Sequence, residues 1–277
     1  MKLNLFITVF NLILAFPLLT IAGAEDIDQE NEPSVSDIQI LKEGQSDHAA
    51  IFREANELYA EGNYDRAVDL YKTILASGYH SASLYYNLGN AYYRSGNIPP
   101  SILNYERALL LAPGDEDIRF NLDLARAQIK DRIEEVPDFF INRMWKGVRD
   151  IINYRSWAAI SAGTFILTLM SLSGFLLISK VVMKKLFFWV AVSLLFISVF
   201  SFSAGLDQRN YVKNHNSAII FSPVISVKSS PDINSADLFV LHEGTKVSVE
   251  DSIGDWREVR LSDGNKGWLH KDGLEMI

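Results

Sequence analysis

"LYYNLGNAYYRSGNIPPSILNYERALLLAP", residues 84–113, joins two helix-like runs through Gly96 and Asn97, with Gly89 in the middle of the first run. The stretch matches an earlier part of the same chain at an offset of 34 residues. Gly96 and Asn97 fall on Gly62 and Asn63, Ser101 on Ala67, Tyr105 on Tyr71, Ala108 on Ile74, and Gly89 on Ala55. A 34-residue period of helix, turn and helix is the signature of a stacked helical repeat. One such unit cannot bury its own apolar face, so neighbours or a cap must cover it.

The second copy, with Tyr85, Leu88, Gly89, Tyr92, Tyr105, Ala108 and Pro113, resembles the tetratricopeptide repeat (TPR). The first copy is weaker, with Ile51, Ala55, Leu58, Ala67 and Tyr71, and it lacks the final proline. The resemblance implies that Gly89 is small because two helices cross there, and that Tyr92 and Tyr105 fill the space between them. Pro113 and Gly114 stop the second helix, and Asp115 is placed to cap the next. That next run, "DEDIRFNLDLARAQIKDRI" (115–133), reads either as the first helix of a third repeat or as a capping helix. The TPR region is expected to span 48–135. TPR arrays hold extended peptides along their first helices. Asn56 and Asn90 recur on that side with Asn87 nearby, and they are the candidate peptide-binding residues. They resemble part of a carboxylate clamp, although Phe52 stands where its first lysine would be.

Charge is unevenly distributed. The 277-residue chain has a net charge of −8. Residues 25–47 hold eight acids against Lys42, which leaves the remainder almost neutral. This segment reads as an acidic, disordered spacer. No basic stripe exists to neutralise phosphates, so nucleic acid is not expected as a partner. Residues 1–24 carry one charge, Lys2, then an apolar run ending in Ala22, Gly23 and Ala24. They read as a secretory signal peptide. The chain has no cysteine, which removes disulfides, zinc–thiolate sites and thiol nucleophiles.

Two uncharged runs follow, 156–179 and 186–206, each about the ~20 residues needed to cross a bilayer core. They read as a transmembrane hairpin with a short cytoplasmic turn at 180–185. Trp157 and Trp189 sit at positions suited to interfacial anchors, and Lys180, Lys184 and Lys185 place the turn on the cytoplasmic side. With an export signal in front, both flanking domains face the periplasmic, extracytoplasmic side of a bacterial inner membrane. The juxtamembrane segment 136–155 contains an amphipathic stretch, 139–152. It either lies along the bilayer surface or continues the first span.

Residues 211–277 change texture to short alternating runs. Lys246 to Glu250, Trp256 to Leu261 and Lys266 to Leu269 are strand-like, and Asp263 with Gly264 signals a hairpin turn. A small closed barrel is expected. The segment resembles the bacterial SH3-like domain. That resemblance implies a tight turn at Gly244, Trp256 packed into the barrel, and closure by Gly267 and Trp268. Such modules bind peptides, cell-wall material or a neighbouring protein. Trp256, Gly267 and Trp268 are therefore structural or ligand-contacting candidates.

No catalytic, cofactor-binding or metal-ligating constellation is recognisable. The five histidines are scattered, and no nucleophile elbow or phosphate loop occurs. The fold class is thus multidomain: an all-α TPR repeat, a two-helix transmembrane hairpin and a small all-β SH3-like barrel. That order resembles the BatE family of bacterial aerotolerance operons. The resemblance implies a non-enzymatic membrane scaffold that assembles with von Willebrand A-type Bat proteins and a MoxR-type ATPase. A peptidoglycan-binding sensor is the alternative.

Overall fold

The computed structural model describes residues 35–133 and 139–277. The expected signal peptide (1–24), the first part of the spacer and Pro137 lie outside the described residues.

Helices α1 (Val35–Ala60) and α2 (Tyr64–Ala76) form the first repeat, and α3 (Ala82–Arg94) and α4 (Ile98–Leu111) the second. Residues 35–47 belong to α1, which corrects the expectation of a disordered spacer up to residue 47. Four apolar residues among them (Val35, Ile38, Ile40 and Leu41) give a helical pattern. The helix is already nucleated by the packed residues downstream, so extending it is inexpensive. Both repeats turn the same way. Gly62 and Gly96 adopt φ of 83° and 81°. The N–H of Asn63 reaches the carbonyl of Leu58 at 2.8 Å and that of Asn97 reaches Tyr92 at 2.9 Å. These are Schellman closures, which need the left-handed conformation that glycine supplies.

Gly89 is fixed by contact. A Cβ there would stand 2.7 Å from the ring of Tyr105, and the Ser101 hydroxyl donates to the Gly89 carbonyl at 2.9 Å. In the first repeat Ala55 and Tyr71 take these places, both fully buried. Asp115 caps α5 (Glu116–Arg126) by accepting from the N–H groups of Asp117 and Ile118. Helix α5 packs on α4 as the first helix of a third unit.

The C-terminal strands are β1 (Ser217–Ile220), β2 (Val224–Lys228), β3 (Asp237–His242), β4 (Lys246–Ile253), β5 (Trp256–Arg260), β6 (Lys266–His270) and β7 (Leu274–Met276). They form one antiparallel sheet in the order β3-β2-β6-β5-β4-β1-β7, an open ladder with β3 and β7 at its edges. One core, including Ile220, Val227, Leu241, Val247, Val259 and Leu269, fills it. Gly267 lets β2 cross closely, because a Cβ there would stand 2.7 Å from the Lys228 carbonyl.

Strand β1 is buried at all four positions, since it serves two cores at once. Ala218 and Ile220 point into the sheet core, while Ile219 packs among Ile102, Leu103, Ile118 and Leu122 of the helical region. The sheet therefore covers a face that the second helix of a third repeat would otherwise cover. Hydrogen bonds reinforce the junction. Asp131 accepts from the His242 N–H (2.7 Å) and the Thr245 hydroxyl (2.8 Å). Arg107 donates to the Met276 carbonyl at 2.6 Å and covers part of the β7 edge. Gly244, at φ 85°, presses on Ile129, so the β3–β4 turn is also a docking contact.

Helices α7 (Tyr154–Leu177) and α8 (Val181–Lys213) are long and apolar enough to cross a membrane. Their packing is the reverse of a water-soluble hairpin. Small and polar residues face inward: Ser161 and Ser198 each donate to the other's carbonyl at 3.0 Å, and Ser171 donates to the Phe187 carbonyl at 2.8 Å. Large apolar side chains such as Met170, Leu177 and Phe196 face outward. The connection is only residues 178–180, because residues 181–185 already belong to α8. The lysine-bearing turn at 180–185 is corrected accordingly.

Helix α6 (Phe140–Arg149) is separate from α7, which Asn153 caps by accepting from the Ser156 N–H at 2.9 Å. Of the two expectations for 139–152, continuation of the first span is thereby excluded. Trp145 donates to Asp207 at 3.0 Å, and Arg149 grips Asp150 at 2.7 and 2.9 Å. The hydrogen bonds it donates to Asp150 hold the Arg149 guanidinium above its ordinary pKa. Trp157 donates to the Arg149 carbonyl at 2.9 Å and packs against Gly205. Trp157 is buried within this collar, which corrects its expected role as an interfacial anchor. Trp189 is exposed.

Candidate partner-binding surface

The 34-residue period places equivalent side chains in columns across α1, α3 and α5. One column is a polar ladder. Asn56 Oδ1 accepts from the Tyr71 hydroxyl at 2.6 Å and from Asn87 Nδ2 at 3.0 Å. One repeat later, Asn90 Oδ1 accepts from the Tyr105 hydroxyl at 2.7 Å and from Asn121 Nδ2 at 3.0 Å. Each asparagine thus joins both helices of its own unit to the first helix of the next. Burial raises the Tyr71 hydroxyl to about 12 and the Tyr105 hydroxyl upward as well, so both remain donors.

The ladder gives Asn56, Asn87 and Asn90 a packing role beside the expected ligand contact. The acceptor oxygens of Asn56 and Asn90 are already occupied, and Asn87 donates within the ladder. Their recurrence serves packing between units, where an amide donates and accepts at once. At the next equivalent position stands Leu124, and there the ladder ends.

The adjacent column is aromatic: Phe52, Tyr86 and Phe120, again at 34-residue intervals. Phe52 leans on Tyr71 at 5.8 Å between ring centroids, and Tyr86 leans on Tyr105 at 6.0 Å. Phe120 is 64% exposed and Leu124, one turn further along α5, is 41% exposed. Sequence reading registered Phe52 only as a missing lysine. The signal for the column was present in the period, but it becomes visible only once α5 is accepted as a full first helix. The remaining residues of the TPR pattern are structural. Leu88, Tyr105 and Ala108 are buried, Tyr85 and Tyr92 are half-buried, and the Pro113 carbonyl accepts from Arg119 at 2.7 Å.

In the sheet, register decides what the tryptophans do. Val259 pairs with Gly267, and both are buried. Trp256 pairs with His270, and Glu258 with Trp268, on the opposite face of the pleat. Trp256 is only partly buried and meets His270 edge-on at 5.9 Å. The expectation that Trp256 packs into the core is therefore corrected. Trp256 and Trp268 both belong to the outer face of β5 and β6.

A charged cluster joins the helices to the sheet. The side chain of Glu106, on α4, is 5% exposed and takes Arg126 at 2.5 Å and Lys246 at 2.8 Å. Burial alone would raise its pKa, but Lys246 and Arg126 outweigh that and hold it below the ordinary value. At Asp131 burial is likewise outweighed, here by hydrogen bonds from His242 and Thr245, and its pKa is lowered. Burial lowers the pKa of His215. Among the described residues, no group of three or more His, Asp or Glu converges as a metal-binding set would.

No curated protein matches the chain at a significant level. A family model described as a tetratricopeptide repeat matches residues 52–118, the span that carries all of the ladder but Asn121 and all of the aromatic column but Phe120. The chain is accordingly a TPR-containing protein, with a module type that serves protein–protein interaction and is typically non-enzymatic.

Proposed function

We propose that the chain is a non-enzymatic, membrane-anchored scaffold whose first-helix face holds an extended segment of a partner protein. The observation that carries this is the aromatic column Phe52, Tyr86 and Phe120, which ends in exposed apolar side chains on α5. A row of aromatic residues supplies large contact area at low conformational cost. The outward-facing large residues of α7 and α8 support insertion in a bilayer. The apolar N-terminal segment and Lys180, Lys184 and Lys185 support an extracytoplasmic location for the helical and sheet regions. The resemblance to the BatE family suggests that the partners are von Willebrand A-type Bat proteins acting with a MoxR-type ATPase in envelope or oxidative stress tolerance.

The test is binding of the full-length chain, in detergent, to a purified von Willebrand A-type Bat protein. Phe120→Ala combined with Leu124→Ala removes exposed side chains only. It should weaken binding about tenfold, equivalent to about 1.4 kcal/mol, with helical circular dichroism unchanged. Unaltered affinity would retire this face as the contact surface.

A second reading, a peptidoglycan-binding sensor, draws on Trp256 and Trp268 on the outer sheet face. Retention of the full chain on purified sacculi, lost in Trp268→Ala, would favour it.

A further inference from the structure

We infer that the cavity where α8 leaves its apolar run is a binding site for a phosphate ester bearing a hydroxylated head group, and that an anionic phospholipid of the surrounding membrane supplies it. The cavity measures about 150 Å³ and lies between α4, α5, the segment after α6, the end of α8 and β4. Cavities of about that size take up benzene-sized molecules. Its walls include Arg119, Arg126, Lys246, Glu106, Asp150 and Gln208.

Gln208 is the residue the fold leaves unexplained. It is 2% exposed, and neither atom of its side-chain amide has a hydrogen-bond partner among the described residues. A buried primary amide without partners is a standing cost to the fold that a ligand can relieve. It lines the cavity with one donor and one acceptor group to offer. A ligand that satisfies both needs an acceptor oxygen and a donor hydroxyl close together.

The charge balance selects an anion. Arg126 and Lys246 share a single carboxylate, Glu106. Arg119 donates to the Pro113 carbonyl, an uncharged acceptor. Asp150 is gripped by Arg149 at 2.7 Å, and Arg149 reaches Asp207 only at 3.4 Å, where the Asp207 side chain is 46% exposed and screened. Asp123 stands 3.9 Å from Arg126, but its side chain is 68% exposed and therefore well screened. Arg119, Arg126 and Lys246 thus share Glu106 as the one lining carboxylate not held by a cation outside the wall.

Position selects the source. Gln208, Tyr211 and Val212 follow Leu206, the end of the uncharged run, by two to six residues. At 1.5 Å per residue they stand ~3–9 Å beyond it. The head-group layer on each side of a ~30 Å core is ~5–8 Å thick. A phosphatidylglycerol-type head group at that depth brings a phosphate to the arginines and a polyol hydroxyl to the Gln208 carbonyl oxygen.

The inference rests on the membrane reading above, though not on partner capture. The full chain in detergent is offered phosphatidylglycerol, phosphatidylcholine or glycerol 3-phosphate, and retention is read by native mass spectrometry. One phosphatidylglycerol should be retained at least fivefold over phosphatidylcholine. Gln208→Leu, which keeps the side chain's bulk, and Arg119→Gln, at an exposed position, should each reduce retention five- to tenfold. If glycerol 3-phosphate displaces the lipid at equal concentration, the phosphate chemistry stands and the lipid source is overturned. Equal retention of the two lipids, or retention unchanged in both variants, overturns the site. Carbonate extraction of the chain from its own membranes separates the two readings. A chain that stays inserted yet holds no phosphatidylglycerol retires the site alone, whereas a released chain retires the membrane reading.

Discussion

The hydroxyl of Tyr105 donates to Oδ1 of Asn90 at 2.7 Å, and Asn121 from the next unit donates to the same oxygen at 3.0 Å. The identical pattern around Asn56 shows that the bond belongs to the period and not to one site. Tyr105→Phe removes the donor and leaves a nearly enclosed ring position otherwise intact. Asn90→Ala removes the acceptor and leaves both the tyrosine hydroxyl and the Asn121 amide short of a partner. The expected costs are about 1 kcal/mol for the first and about 1–3 kcal/mol for the second. Thermal unfolding of the full chain, followed by circular dichroism, checks both. If Asn90→Ala leaves the melting temperature unchanged, the ladder does not hold the repeats together.

Orientation in the membrane makes a separate prediction. Asn63 lies between α1 and α2 and Asn265 between β5 and β6, whereas Met183 lies in the first turn of α8. Single cysteines at these positions can be probed with an impermeant alkylating reagent, because the native chain has none. Asn63→Cys and Asn265→Cys should react in intact cells once any outer membrane is opened, and Met183→Cys should not. The reverse pattern would place both regions in the cytoplasm and overturn the export reading.

The period, the turn glycines and the two apolar runs were legible in the sequence because each is a local property. Gly89 could be read as a close crossing since its partner, Tyr105, lies inside the same repeat. What was not legible depended on contacts distant in sequence. Ile219 sits in a run that reads as an ordinary short strand, and only the fold reveals that it completes the helical core. Trp256 is expected inward from the resemblance to the bacterial SH3-like domain, and only the register with His270 turns it outward. Asn56 and Asn90 were correctly seen to recur, but recurrence does not distinguish a ligand-facing column from a packing column. Their tyrosine partners, fifteen residues away, are what assign them a packing role.

The junction between helices and sheet should be acid-sensitive through Glu106. Its folded pKa lies below the ordinary carboxylate value of 4.5, because Lys246 and Arg126 outweigh the effect of burial. For a depressed carboxylate, the unfolded chain takes up the proton first as pH falls. The stabilisation is therefore complete above about pH 4.5 and is lost as pH drops through the lower folded value. Asp131, lowered from 3.8 at the same junction, adds loss in the same direction at still lower pH. His215, lowered from 6.5 by burial, has its own window, with loss beginning below that value, so the two effects separate along the pH axis. Breaking a buried ion pair costs about 3–5 kcal/mol. Because the Arg126 and Lys246 side chains are 37% and 31% exposed, solvent screening reduces the expected cost of Glu106→Gln to about 1–3 kcal/mol. The variant should melt lower than wild type at pH 7, and the gap should narrow below pH 4.5 as the native carboxylate is neutralised. Tryptophan fluorescence and circular dichroism of the full chain, followed against temperature between pH 7 and pH 3, provide the comparison. A constant gap across that range would show that the Glu106 carboxylate does not secure the sheet to the helices through its charge.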